Sequence, residues 1–402
     1  MFNLFRRKSA PVIDSSAKLA ELLGAWYDAD AGVQITPGNA PEISAVFSCI
    51  KVLTESIGML PLNLFKELPG GGSEKAANHP LQTLLKHGPN DYLTDQEYKE
   101  LIVAHLCLRG NHYSYINRTA AGRVLELLPM APDAVTPKLS NDYELTYDVQ
   151  FKAGPVRTLP AEEVLHIRLW SLDGLTGLNP IQYNRHCLGL AKATEKHGST
   201  LFAHGAKPSG VLATDHALTD KQYERLKQEM ELHRGVANQS REMILDGGLK
   251  WLQVSMTAED SQFLETRKFQ RSEIAGFFRV PPHMIGDLER ATFSNIEHQD
   301  LAFARHSLIP YCTRIEKRVN KSLLSDKERV AYFVKFNINA LMRGDMKTRS
   351  EYYTAMIQHG VMSPNEVRIL EDMNPREGGD TYLTPLNMAV NGQPTGGAES
   401  AE

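Results

Sequence analysis

Two periods of apolar residues alternate along the chain and divide it into helices and short strands. A helical period runs from Pro41 to Gly58, and LPLNLFKE after it reads as a strand with Gly70-Gly71-Gly72 as its turn. Thr94 and Glu97 form a capping box that starts a helix, and Gly110 closes it as the left-handed residue that helices favour at their ends. HYSYINR, VLELLP, YELTYDVQF and VLHIRLW then alternate with a period of two, with turns at Ala121-Gly122 and Gly154-Pro155. This spacing predicts an antiparallel sheet, so the chain up to about residue 170 reads as an α+β unit.

The second half is dominated by helical periods. One runs from Asn179 to about His204 with Pro180 in its first turn. Between Gly205 and Ser255 lies a small insert. It holds a strand at Gly210-Val211-Leu212, a helix capped by Thr219 with Gln222, and a hairpin of MIL with LKWLQVS around Asp246-Gly247-Gly248. Thr257 with Asp260 opens a helix that reaches Phe278. Ser294 with Glu297 opens another that runs to about Leu324, with Leu301, Leu308, Cys312, Ile315, Val319 and Leu323 on one face. Pro310 lies inside this helix, where it removes a backbone hydrogen bond and predicts a kink. VAYFVKFNI follows as a strand, and Asp345–His359 and Pro364–Met373 as helices, the second capped by Ser363 with Glu366. Residues 1–40 read as a mobile arm with one short helix near Lys18–Trp26, and residues 386–402 as a disordered Gly/Pro/polar tail.

The segment between two of these helices, RVPPHMIGDLERATF from Arg279 to Phe293, fits neither period. It is too long for a turn and too apolar for a linker. Loops of this length in compact proteins are functional or disordered, and Met284, Ile285, Leu288 and Phe293 argue against disorder. Two readings stay open: a loop tucked into its own core, or one with work to do outside it.

Composition narrows the field. At 402 residues, 42% hydrophobic and 23% charged, the chain can build more than one core. Its net charge of -4 is not that of a protein that grips nucleic acid through many phosphates. The cysteines, Cys49, Cys107, Cys187 and Cys312, are scattered without a CxxC pair, which fits a reducing compartment rather than a disulfide framework or zinc site. MFNLFRRKSAP lacks an apolar run behind its basic residues, so it does not read as a secretory signal. No stretch is apolar for the length of a membrane span, so no membrane partner is expected.

Catalytic signatures are missing. There is no Walker A loop, GxGxxG, HExxH or GxSxG, and no histidine has a ligand-like spacing to a carboxylate, so no cofactor, metal or catalytic residue is expected. A hydrolase assembled from separated His, Asp and Ser residues remains a reading without a visible site. One charge pattern stands out: Arg314, Lys317, Arg318 and Lys321 recur at helical spacing opposite the apolar face. They form either a solvated or acid-paired face, or a surface for DNA phosphates. The second choice would make the chain a duplex-DNA-binding structural protein.

Val280-Pro281-Pro282, Gly286, Ser294-Asn295-Ile296-Glu297 and Leu308-Ile309-Pro310, in that order, resemble the portal proteins of tailed bacteriophages, in particular the portal family of long-tailed phages. The resemblance extends to HPLQTLLKHGPNDYLTDQEY (His79–Tyr98), LRGNHYSYINR (Leu108–Arg118), LNPIQYNR, HGAKPSGVL and GVMSPNEVRILEDMNPREGGD (Gly360–Asp380). Asp287, Glu289, Arg279 and Arg290 give the loop a charge pattern of its own, so its contacts do not transfer from the family.

The resemblance implies an α+β portal fold, with residues 41–178 as the first part of a wing, 179–204 and 257–278 as stem helices, and 205–256 as a clip. It further implies a tunnel loop at 279–293, a wing helix and strand at 294–342 and a helical crown at 343–385. It implies a ring of about twelve copies at one vertex of the capsid, conducting double-stranded DNA during packaging and ejection. The expected partners are other copies of the chain, the major capsid protein, the terminase large subunit, the head–tail adaptor and DNA. The expected location is the virion, with assembly in the host cytoplasm. Arg279, Pro281, Pro282, His283, Met284, Ile285, Asp287, Leu288, Glu289 and Arg290 would line the tunnel, the apolar ones packing loop against loop around the ring and the charged ones facing the duplex. Lys221, Arg225, Glu229, Arg234, Arg241 and Trp251 would lie on the clip that docks the terminase and adaptor.

Overall fold

The computed structural model describes residues 29–69, 72–151, 154–203, 210–213, 219–221, 223–225, 227, 250–253, 258–288, 293–338, 346–371, 373–383, 389–390 and 393–394. The strands are β1 (Leu62–Glu67), β2 (Ser73–Lys75), β3 (Asn111–Arg118), β4 (Val124–Met130), β5 (Val135–Leu139), β6 (Leu145–Val149), β7 (Arg157–Pro160), β8 (Val164–Arg168), β9 (Gly210–Ala213), β10 (Lys250–Gln253) and β11 (Tyr332–Phe336). The chain is α+β and divides into two interleaved units. One is built from the chain up to Glu55, Lys99–Ile116 and Leu128–Gln299; the other from Ser56–Tyr98, Asn117–Leu127 and Asp300 onward.

In the second unit the sheet order is β11-β1-β2, with Leu62 opposite Phe336 and Leu64 opposite Val334. Leu62, Leu64, Val334 and Phe336 are buried, which is the alternation expected of strands with one covered face. The cover is the helix Ile309–Leu323, whose Cys312, Ile315, Val319 and Leu323 are all buried. Asn320 clamps helix to strand: its Oδ1 accepts from Val334 N–H at 2.7 Å and its Nδ2 donates to Val334 O at 3.3 Å. The expected kink takes a specific form. Pro310, the second residue of this helix, follows a π turn over Ala304–Leu308, whose wider winding accommodates the missing N–H and the bulk of the ring. The turn also shifts the helical phase, so Leu301, expected on the buried face, is 53% exposed.

In the first unit β3 and β8 pair antiparallel within the order β4-β3-β8, and a further sheet has the order β5-β6-β7. Tyr113, Met130, Val135, Tyr147, Val149 and Val164 form one core cluster. β5 carries no sequence signal because Pro137 interrupts it, yet Pro137 sits opposite Tyr147 on an edge strand, where a missing donor is tolerated. The expected box at Thr94 is present: Glu97 Oε2 accepts the Thr94 N–H at 2.8 Å, and Thr94 Oγ1 accepts the Glu97 N–H at 3.2 Å. Gly110 closes that helix at φ 74°, and a Cβ there would lie 2.0 Å from Leu178 O, so only glycine fits.

Several expectations change. The helix expected over Asn179–His204 breaks at Asn184 into Pro180–Tyr183 and Arg185–Ala203. Asn179 caps the first turn by accepting from Ile181 and Gln182 N–H. Residues 29–40, placed in a mobile arm, pack instead: Ile35 and Ala40 are fully buried, and a Cβ on Gly189 would strike Ala29. The expected arm helix near Lys18–Trp26 lies outside the described residues. In the insert, β10 pairs antiparallel with β9, Trp251 opposite Leu212; the expected hairpin of LKWLQVS with MIL lies outside the described residues. The tail contains one short antiparallel pair, Ala389–Val390 with Gln393–Pro394. No described helix is long and apolar enough to cross a membrane.

Candidate functional site

The segment after the helix Ala258–Phe278 shows why this chain stops being helical. Arg279 takes φ 55°, a left-handed conformation that costs a residue with a side chain about 1–2 kcal/mol. Its N–H donates to Gly276 O, the Val280 N–H donates to Ala275 O at 2.9 Å, and the two prolines forbid further helix. Val280 drops into the core, 2% exposed. Pro282–Ile285 forms one 3-10 turn, and Gly286 reverses the chain at φ 80°. Ile285 is buried, and its carbonyl accepts from the guanidinium of Arg271, a residue of the preceding helix. Asp287 N–H donates to Pro282 O at 3.0 Å, and the Ser272 hydroxyl donates to Asp287 at 3.3 Å. His283 Nδ1 donates to Gln299 Oε1 at 2.8 Å.

The first half of the expected tunnel loop is therefore an anchored turn. Val280 and Ile285 serve their own core and are not free to pack loop against loop. Pro281, Pro282, His283 and Met284 are half-buried, and the exposed end begins at Leu288, which is 65% exposed. Arg279 is exposed, Asp287 is half-buried, and Glu289 and Arg290 lie outside the described residues.

The basic stripe is where the helical period puts it. Arg314, Lys317 and Lys321 are exposed and Arg318 is half-buried, opposite the buried face of Ile309–Leu323. Glu316 turns inward on this helix and accepts the Phe336 N–H at 2.7 Å; burial holds its carboxyl above the usual carboxylate range. On the insert, Lys221 and Arg225 are exposed, and Trp251 lies in β10. Glu229, Arg234 and Arg241 lie outside the described residues.

One constellation escaped sequence reasoning. His105 and His112 approach within 3.0 Å between their Nδ1 atoms, and His112 Nε2 meets Ser114 Oγ at 2.9 Å. Nearby, His166 bridges Tyr147 and Asn111, and the Tyr113 ring stacks on it at 4.3 Å. Burial is the main cause that pushes His105 down to about 4 and holds His112 well below the ordinary histidine value; Arg109 beside His105, and the imidazoles of His105 and His166 beside His112, act in the same direction. The signal available beforehand was a histidine at a central position of an alternating strand, which sequence alone does not separate from a surface histidine. Asn111 also accepts the Gly177 N–H, so the network holds the loop that leads to Asn179. In that loop the Asp173 carboxylate accepts from Ser171, Leu175 and Thr176, and these hydrogen bonds, that from the Thr176 hydroxyl first, hold it well below the usual carboxylate range.

Residues 44–372 match the phage portal protein family, so the chain belongs to that family. It is 32% identical over 363 residues to the portal protein of Enterobacteria phage HK97, covering 88% of this chain and 85% of that one. It is also 32% identical over 415 residues to the probable portal protein of Streptomyces phage phiC31, covering 97% and 89%. Its fold resembles a chain in the neck of an empty gene transfer agent particle, solved with C6 symmetry, at TM-score 0.61 and 24% identity, covering 92% of this chain and 96% of that one.

Proposed function

We propose that the chain is the subunit of a portal: a ring of about twelve copies at one capsid vertex, through which double-stranded DNA passes during packaging and ejection. Membership of the family over residues 44–372 is the observation that carries this reading. Twelvefold closure is supported by a gene transfer agent neck of the same fold that was solved with C12 symmetry. The protein works in the virion and assembles in the host cytoplasm. It acts as a structural conduit and needs no catalytic residue.

In this reading the pair Arg185–Ala203 and Ala258–Phe278 is the stem, and the insert between them is the clip. Lys221, Arg225 and Trp251, with Glu229, Arg234 and Arg241, belong to the surface that meets the terminase large subunit and then the head–tail adaptor. Residues 294–342 belong with the wing, 343–385 form the crown, and the major capsid protein surrounds the ring. The tunnel-facing stretch is shorter than the whole loop. It begins at Leu288, because Val280 and Ile285 are committed to the core and Asp287 to the stem helix. A net charge of -4 suits a conduit, since a ring of cations would hold the duplex through many phosphates and oppose sliding.

Negative-stain electron microscopy with particle masses by mass photometry tests this. Twelve chains of 44.9 kDa make a ring of ~540 kDa with a central hole. A chain that remains monomeric at every concentration, even with its capsid and scaffold partners, overturns the reading. The basic stripe supports a second reading, duplex binding on the outer surface, because Arg314, Lys317 and Lys321 are exposed together. Lys317→Glu with Arg318→Glu separates the two: loss of salt-sensitive DNA affinity favours binding, whereas loss of the ring with DNA affinity unchanged favours a contact between copies.

A further inference from the structure

A closed ring joins each copy to the next through two different faces, because rotation about the ring axis carries one surface of a subunit onto another surface of its neighbour. We propose that these two faces lie on the helices Arg185–Ala203 and Ala258–Phe278, and that each is occupied by a second copy of this chain. The inference rests on the ring reading above.

The two helices run antiparallel. Thr194 Oγ1 accepts from Gln270 Nε2 at 3.4 Å, Arg267 stands 3.9 Å from Glu195, and Cys187 meets Glu273. Leu188, Ala191 and Thr194 of one helix are buried, as are Gln270, Ile274, Ala275 and Phe278 of the other. At about 100° per residue, Leu190, Ala193 and His197 fall on the opposite side of the first helix, beyond His186, which Asp30 of the same chain engages at 3.2 Å. By the same spacing Gln262, Glu265, Phe269, Ser272 and Gly276 fall on the opposite side of the second. Each of these sides leaves a large apolar residue in water, Leu190 at 48% and Phe269 at 68% exposure. Open space surrounds the position a Cβ would take on Gly276.

The faces are complementary in charge and in level. Lys196 edges the first and Glu265 lies on the second; both are exposed, and neither has an ion-pair partner among the described residues. Numbers rise along one helix as they fall along the other, so Lys196 stands level with Glu265 and Ala193 with Phe269. A rotation axis running along the helices preserves level. It sets Glu265 of one copy against Lys196 of the next, and Phe269 against the small Ala193 beside Leu190. A buried aromatic with an opposite charge at its rim is the usual anatomy of a strong contact. A two-fold axis along the same direction would instead set Glu265 against Glu265 and Lys196 against Lys196, which like charges oppose.

The test uses the full chain with Lys196→Glu, Glu265→Lys and the two combined, weighed by mass photometry under conditions in which the wild type forms rings. Circular dichroism checks that each variant is folded. Each single change should lower the ring fraction about tenfold, and the combined swap should return it to within about twofold of wild type. A mixture of separately made Lys196→Cys and Glu265→Cys chains should give a disulfide-linked dimer that neither gives alone. Folded single variants that form rings like the wild type, or a swap no better than the worse single change, overturn the interface and leave the ring reading standing. A wild type that never forms rings overturns the ring reading and this interface with it.

Discussion

In the helix Ile309–Leu323 the apolar side chains Cys312, Ile315, Val319 and Leu323 are buried, and Arg314, Lys317 and Lys321 point outward. In the helix Ala258–Phe278 the described buried residues lie from Gln270 to Phe278, and Phe269 stands in water. Both helices are long and rich in charge. The first is completed by its own chain, against β11. The second is half-completed by Arg185–Ala203 and leaves a face over. A helix that finishes its packing within one subunit shows a clean amphipathic period, whereas one whose subunit covers only part of it shows a blurred one.

The sharpest way to break this comparison is to truncate one apolar residue from each helix. Ile315→Ala should cost about 2–5 kcal/mol of folding stability, since Ile315 is fully buried and its cavity cannot collapse freely. Phe269→Ala should cost the folded monomer less than about 0.5 kcal/mol, as expected of an exposed site. Chemical denaturation of both variants at a concentration that keeps the chain monomeric decides it. Equal losses would mean that Phe269 packs within the subunit and that the two helices do not differ.

A second test concerns the core histidines. His105 and His112 are held neutral below the ordinary value of 6.5, so the unfolded chain binds more protons than the folded one as pH falls from there. Their contribution to stability is therefore complete above 6.5 and is lost as pH falls toward about 4, where His105 itself takes a proton. His105→Gln with His112→Gln should flatten the slope of unfolding free energy between those values. An unchanged slope would place the acid sensitivity elsewhere.

A change of intermediate size is expected in the loop. Leu288→Ser should leave stability within about 0.5 kcal/mol, because Leu288 is exposed, and should alter DNA retention in filled particles. Ile285→Ser should unfold the turn instead. Deleting Met284–Glu289 as a block would remove Ile285 as well and so confound lining with anchoring. The smallest effect belongs to Glu316→Gln. Burial raises the Glu316 pKa, so ionisation disfavours the fold: the wild type loses stability as pH rises past 4.5 and levels off once the buried carboxyl has ionised. Glutamine can still accept the Phe336 N–H, so the variant should be slightly more stable than wild type at pH 7 and equal to it below 4.5.

Local chemistry was legible in the residues themselves. The boxes at Thr94–Glu97 and Ser363–Glu366, the glycine at 110, the end of the helix at Arg279 and the period of Ile309–Leu323 depend on neighbours three or four residues away, so short stretches carry them. The order of motifs carried the family. The partner of each strand was not legible, because pairing of Leu62 with Phe336 joins residues far apart in the chain and leaves no local trace. The loop was half legible: the prolines announce that the helix stops, but only packing shows that Val280 and Ile285 turn inward while Leu288 stays out.

The sequence by itself therefore determined where helices begin and end, which face of the clearest helix is apolar and which family the chain resembles, because caps, periods and prolines act over a turn or two. Only the tertiary structure decided that the π turn before Pro310 would swing Leu301 into water, that Pro137 would sit on an edge strand, and that His105 and His112 would meet in the core. It also decided that Lys196 and Glu265 stand at one level on two antiparallel helices. Each of these outcomes depends on which distant surfaces come together, and burial, unlike a helix cap, is a property of the whole packed chain.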